Sequence, residues 1–85
     1  MKIQLRFFAS LRERLGTSQE SVDLPTGIAT VGALRAWLRE RGGAWADALA
    51  EGRAVRMACN QQMCDVAAPL SEGCEVAFFP PVTGG

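Results

Sequence analysis

Eighty-five residues, 48% apolar and 21% charged, suffice for one small globular domain. They exclude a disordered chain, which would carry fewer apolar residues and a larger net charge. Nine basic and nine acidic side chains cancel, so the basic excess of a nucleic-acid binder is missing and no nucleic-acid partner is expected.

No run of about 18 apolar residues occurs. The opening Met1-Lys2-Ile3-Gln4 alternates apolar and polar residues, unlike the unbroken apolar stretch of a signal peptide. A cytoplasmic chain with no membrane partner is expected. Histidine is absent and Lys2 is the single lysine, which leaves few groups suited to acid–base work near neutral pH. Gly-x-Ser-x-Gly, P-loop and His-Glu-x-x-His spacings are also missing. A self-contained active site is not expected.

Lys2 to Phe7 alternates with the period of a half-buried strand, Ile3, Leu5 and Phe7 on one face and Lys2, Gln4, Arg6 and then Phe8 on the other. Ser10-Leu11-Arg12-Glu13 has capping-box spacing and predicts a short helical turn stopped by Gly16. Ser21 to Leu24 alternates again, and Pro25-Thr26-Gly27 closes it. Thr30 is placed to cap the main helix, where Val31, Leu34, Trp37 and Leu38 recur at helical spacing before Gly42-Gly43. Ala44 to Glu51 predicts a second short helix, stopped by Gly52.

Beyond it the period returns to two. Val55, Met57 and Cys59 share one face, with Arg56 and Ala58 opposite, and Asn60-Gln61 turns the chain into Gln62 to Val66. Leu70 anchors the loop from Pro69 to Gly73. Cys74 to Phe79 is the last strand, with Val76 and Phe78 on one side and Ala77 and Phe79 on the other. Met57 and Met63 read as core filler, and Trp37 and Trp45 as the ends of the helical layer. Arg12, Arg14, Arg35, Arg39 and Arg41 read as a solvated face balanced by nearby acids. Cys59, Cys64 and Cys74 are too few and too odd in number for a disulfide scaffold and read as small core hydrophobes. Zinc would need Asp65 or a second chain as fourth ligand, so no metal site is expected.

This order predicts an α+β fold, a mixed sheet of about five strands with a main helix and short helices on one face. With the first and last strands parallel in the middle, it is the order of a β-grasp, or ubiquitin-like, domain over residues 1–79.

Residues 80–85 read as an extended tail. Pro80 and Pro81 have no amide hydrogen to continue a ladder and favour polyproline geometry. Gly84 and Gly85, lacking Cβ, can pass a constriction closed to other residues. A stiff base, a narrow tip and a terminal carboxylate suggest that another protein's pocket works on Gly85; fraying is the alternative. If the end strands adjoin, Phe8 and Phe79 are neighbours on the face away from the helix, with Arg6, Arg56, Ala58 and Ala77 close by. Aromatic and arginine residues are enriched at interfaces. Arg6, Phe8, Arg56, Phe79, Pro80, Pro81, Val82, Thr83 and Gly84 are therefore the expected partner-binding residues, and Gly85 the reacting terminus.

The run Phe78-Phe79-Pro80-Pro81-Val82-Thr83-Gly84-Gly85 resembles the end of the small subunits of molybdopterin synthase, which are sulfur-carrier proteins. Phe7-Phe8-Ala9, Leu11-Arg12-Glu13 with Gly16, Thr30-Val31, Ala33-Leu34-Arg35, Asn60-Gln61 and Pro69-Leu70 with Gly73 fit the same family. The resemblance implies that an ATP-dependent, ubiquitin-activating-like enzyme adenylates Gly85 and that a sulfur donor converts it to a thiocarboxylate. It implies delivery of the sulfur to cyclic pyranopterin monophosphate in the large subunit, which supplies the catalytic side chains. ATP belongs to the activating enzyme, no cofactor is bound permanently, and two small and two large subunits are expected. Three alternatives stay open: sulfur carriage for thiamine or tRNA thiolation, protein modification through Gly85, and a passive interaction module. A cysteine persulfide as the carrier is disfavoured, because the three thiols sit in predicted strands rather than where thiolates are stabilised.

Overall fold

The computed structural model describes residues 1–81. Within them the elements run β1 Lys2–Phe7, α1 Ala9–Leu15, β2 Gln19–Asp23, α2 Val31–Arg39, α3 Gly43–Ala48, β3 Arg56–Cys59, β4 Gln62–Cys64 and β5 Glu75–Phe79. The strands form one sheet in the order β2-β1-β5-β3-β4. β1 and β5 are parallel, with Leu5 opposite Val76 and Phe7 opposite Phe78, while the other pairings are antiparallel. The β-grasp expectation holds, and β5 lies at the centre of the sheet.

Alternation decides the faces. Ile3, Leu5 and Phe7 of β1 and Val76 and Phe78 of β5 are buried with Val31, Leu34 and Leu38 of α2, Leu11 of α1 and Leu49 after α3. Leu70 is buried too, so the loop anchor is where it was expected. Thr30 caps α2, its hydroxyl oxygen accepting from the Ala33 amide at 3.2 Å. Asn60 and Gln61 both adopt left-handed φ, 49° and 67°, the geometry of a two-residue hairpin turn matched to strand twist.

Four expectations need correction. Ser10 does not cap α1. Phe8 is still extended and its amide donates to the Phe78 carbonyl at 3.2 Å, so strand pairing carries the helix start to Ala9 and leaves Ser10 within the first turn. β4 ends at Cys64 rather than Val66, because Val66 and Ala67 form a turn, the Ala67 amide donating to the Asp65 side chain at 2.9 Å and the Ala68 amide to the Asp65 carbonyl at 3.2 Å. Gly43 opens α3 instead of ending α2. Arg35 is no solvated cation. Its Nε donates to the Leu49 carbonyl at 2.9 Å and its Nη2 to the Ala50 carbonyl at 2.6 Å, satisfying orphan acceptors at the end of α3.

Candidate functional site

The chain leaves the sheet from its central strand. Phe79 is the last residue of β5, and Pro80 cannot donate the next ladder hydrogen bond. Val76 and Phe78 point into the core, so Ala77 and Phe79 are presented on the opposite face. Phe8 lies alongside at the end of β1, 42% exposed, and Phe79 is half-buried. The aromatic pair expected from alternation is therefore assembled.

Arg6 is oriented by two neighbours. Its guanidinium lies 5.4 Å from the centre of the Phe8 ring and 3.8 Å from the Glu75 carboxylate. Contacts at this exposure contribute little to stability; their effect is to fix a cation beside an aromatic ring. Phe8, Ala58, Met63, Ala77 and Phe79 line a shallow hollow of about 450 Å³, with Arg6, Gln61 and Glu75 as its polar members. Arg56 stands opposite Phe79 in the β3–β5 ladder but does not line the hollow.

Met63 overturns the core-filler reading. It is 55% exposed and pairs with Ala58 on the outward face. The signal was present: across a two-residue turn, position 63 must share the face of position 58. Met57, in contrast, is buried. Pro80 and Pro81 are half-buried where the tail begins. The expectations for Val82, Thr83, Gly84 and Gly85 lie outside the described residues.

The cysteines keep their core reading. Cys74 is buried, and Cys59 and Cys64 are half-buried against the core. Burial pushes the Cys59 thiol up, and the neighbouring Cys74 and Cys64 add to the effect. Burial and then Asp65 push the Cys64 thiol up. Both shifts disfavour the thiolate a persulfide carrier would need. Among the described residues no group of three or more cysteine or acidic side chains is arranged to hold a metal ion, and no helix is long and apolar enough to cross a membrane.

A β-grasp sheet that projects a Pro-Pro segment from its central strand, beside an exposed aromatic face, matches one family over nearly its whole length. The ThiS family profile aligns with residues 5–85. The chain belongs to the ThiS family. Within it, the chain is 42% identical over 83 residues to the molybdopterin synthase sulfur carrier subunit of Escherichia coli K12, covering 98% of this chain and 99% of that one. Its identity to the Haemophilus influenzae subunit of the same name is 39%, with the same coverage. Among solved structures it is similar to SAMP1 from Haloferax volcanii, 29% identical with a TM-score of 0.74 and complete coverage of both chains. The resemblance drawn from the Phe-Phe-Pro-Pro-Val-Thr-Gly-Gly run is borne out by these relatives.

Proposed function

We propose that this ThiS-family chain is the sulfur-donating subunit of a molybdopterin synthase and carries sulfur as a thiocarboxylate on Gly85. The observation that carries the reading is the 42% identity to a molybdopterin synthase sulfur carrier subunit across 98% of the chain. Residues 1–79 act as a rigid platform and residues 80–85 as the tail that reaches a partner's active site. One oxygen of the Gly85 carboxylate attacks the α-phosphorus of ATP in an adenylating enzyme, and pyrophosphate leaves. AMP is then a good leaving group, and a sulfur donor displaces it to give the thiocarboxylate. Group carriage of this kind divides one difficult transfer into easier steps. The large subunit then receives the tail, and the terminal sulfur displaces an oxygen from a side-chain carbon of cyclic pyranopterin monophosphate. Water cleaves the resulting thioester, leaving the sulfur on the pterin and restoring the Gly85 carboxylate. Two such deliveries build the dithiolene. Phe8, Met63 and Phe79, with Arg6 and Arg56 beside them, form the docking face, and Pro80 to Gly84 thread the channel.

The test is the intact mass after incubation with ATP, a sulfur source and the cognate adenylating enzyme. Replacement of one oxygen by sulfur, lost when Gly85 is deleted, is expected. No gain with a demonstrably active enzyme would leave a passive interaction module.

The likeness to SAMP1, of the small archaeal modifier proteins, favours one second reading, in which the same activated Gly85 is transferred to lysine side chains. Isopeptide-linked conjugates in place of a thiocarboxylate would select it.

A further inference from the structure

The tail root has a second side, away from Phe8 and Phe79. Pro80 borders a groove of about 240 Å³ whose apolar members include Leu11 of α1, Ala48 of α3 and Val55 before β3. Arg14 and Arg53 line the same groove and converge on one carboxylate. Arg14 Nη2 donates to Asp47 Oδ2, and Arg53 Nη2 lies 3.2 Å from each Asp47 oxygen.

Two guanidinium groups thus share a single acid, and the cluster keeps one uncompensated positive charge. Neither arginine pairs with another acid among the described residues. All three side chains are exposed, where such pairs stabilise a fold little, so tying α1 to α3 does not account for two arginines on one aspartate. Each guanidinium has five donors, and Asp47 engages only Nη2 of each.

We infer that this groove docks a carboxylate-bearing segment of the large subunit, the protein that receives the tail. The inference rests on the function proposed above, because a channel that takes in residues 82–85 must close around Pro80. Its wall meets the aromatic hollow on the sheet side and the Arg14–Arg53 pair on the helix side. A glutamate or aspartate from that wall accepts charge-assisted hydrogen bonds from the guanidinium donors that Asp47 leaves. The apolar floor of Leu11, Ala48 and Val55 accommodates its methylene stem. A basic segment is rejected by like charge.

The test is the affinity of the full chain for the cognate large subunit and for the cognate adenylating enzyme, each at low and high salt. Arg14→Gln combined with Arg53→Gln is expected to weaken binding to the large subunit about three- to tenfold at low salt, with the difference shrinking at high salt. Lysine at both positions recovers part of the loss. Asp47→Asn, which removes the resident competitor, is expected to tighten binding. Arg39→Gln, whose partner is Glu51 in a separate hollow, leaves affinity unchanged. Unchanged affinity of the double variant for the large subunit, or a loss independent of salt, would overturn the docking groove alone. Failure of the unaltered chain to bind either partner would overturn the functional reading and the groove with it.

Discussion

Phe7 and Phe78 stack with ring centroids 5.9 Å apart and 16° between their planes. They stand opposite each other in the parallel β1–β5 ladder, and Trp45 meets Phe7 edge-on at 5.3 Å. The residue after each, Phe8 just beyond β1 and Phe79 at the end of β5, turns outward. One pair of rings anchors the tail root and the following pair presents a surface. Phe78→Ala should therefore cost about 3–5 kcal/mol of stability, as expected for emptying a well-packed ring site. Phe79→Ala should cost far less. Denaturant unfolding of the two variants checks this, and equal losses would make Phe79 a core residue.

The outward pair carries the second prediction. Phe79→Asp should abolish binding to the large subunit and leave the cooperative unfolding transition in place. Met63→Asp should weaken the same complex while changing stability within about 0.5 kcal/mol, because the side chain is mostly exposed. Calorimetric titration decides it. Partner affinity unchanged in both variants would remove this face from the docking surface.

What the sequence alone reveals follows from the range of each interaction. Strand faces, the Thr30 cap and the Asn60-Gln61 turn depend on neighbours a few residues apart, and all three were legible. The parallel pairing of β1 with β5 was legible because few arrangements place two halves around one helix. Ser10 misled because a capping box is a local pattern, whereas the start of α1 is decided by Phe8 bonding Phe78, seventy positions away. Arg35 misled for the same reason: its acceptors are the carbonyls of Leu49 and Ala50, invisible to charge balance. Met63 was within reach of strand parity and was lost to the general habit of methionine for cores.

Gly32 makes a third prediction. A Cβ built there would lie 2.8 Å from Val66 Cβ and 3.0 Å from the Val66 carbonyl oxygen. The Gly32 amide donates to that same oxygen at 2.9 Å, and the Val31 amide to the Ala68 carbonyl at 3.0 Å. The segment after β4 is thereby held against the first turn of α2. Gly32→Ala must push it away and should destabilise the domain by about 1–3 kcal/mol. Val66→Gly in the same chain should recover part of the loss. An unaltered melting temperature for Gly32→Ala would mean that the segment yields at no cost.

Glu20 and Arg41 give the pH dependence. The guanidinium donates to both carboxylate oxygens, at 2.9 and 2.6 Å, and lies 4.4 Å from the centre of the Trp45 ring. It ties the segment after α2 to the edge strand β2. The Arg41 hydrogen bond holds the Glu20 carboxyl below its ordinary 4.5, against the opposing effect of burial. In the unfolded chain the carboxyl regains its ordinary value and binds its proton first as acid is added. Stability from this pair is thus fully present above about pH 4.5 and is lost as pH falls through the lower folded value. Glu20→Gln should lower the denaturant midpoint at neutral pH and show a shallower further loss in acid than the unaltered chain. Parallel pH profiles for the two proteins would show that the ion pair contributes nothing to folding.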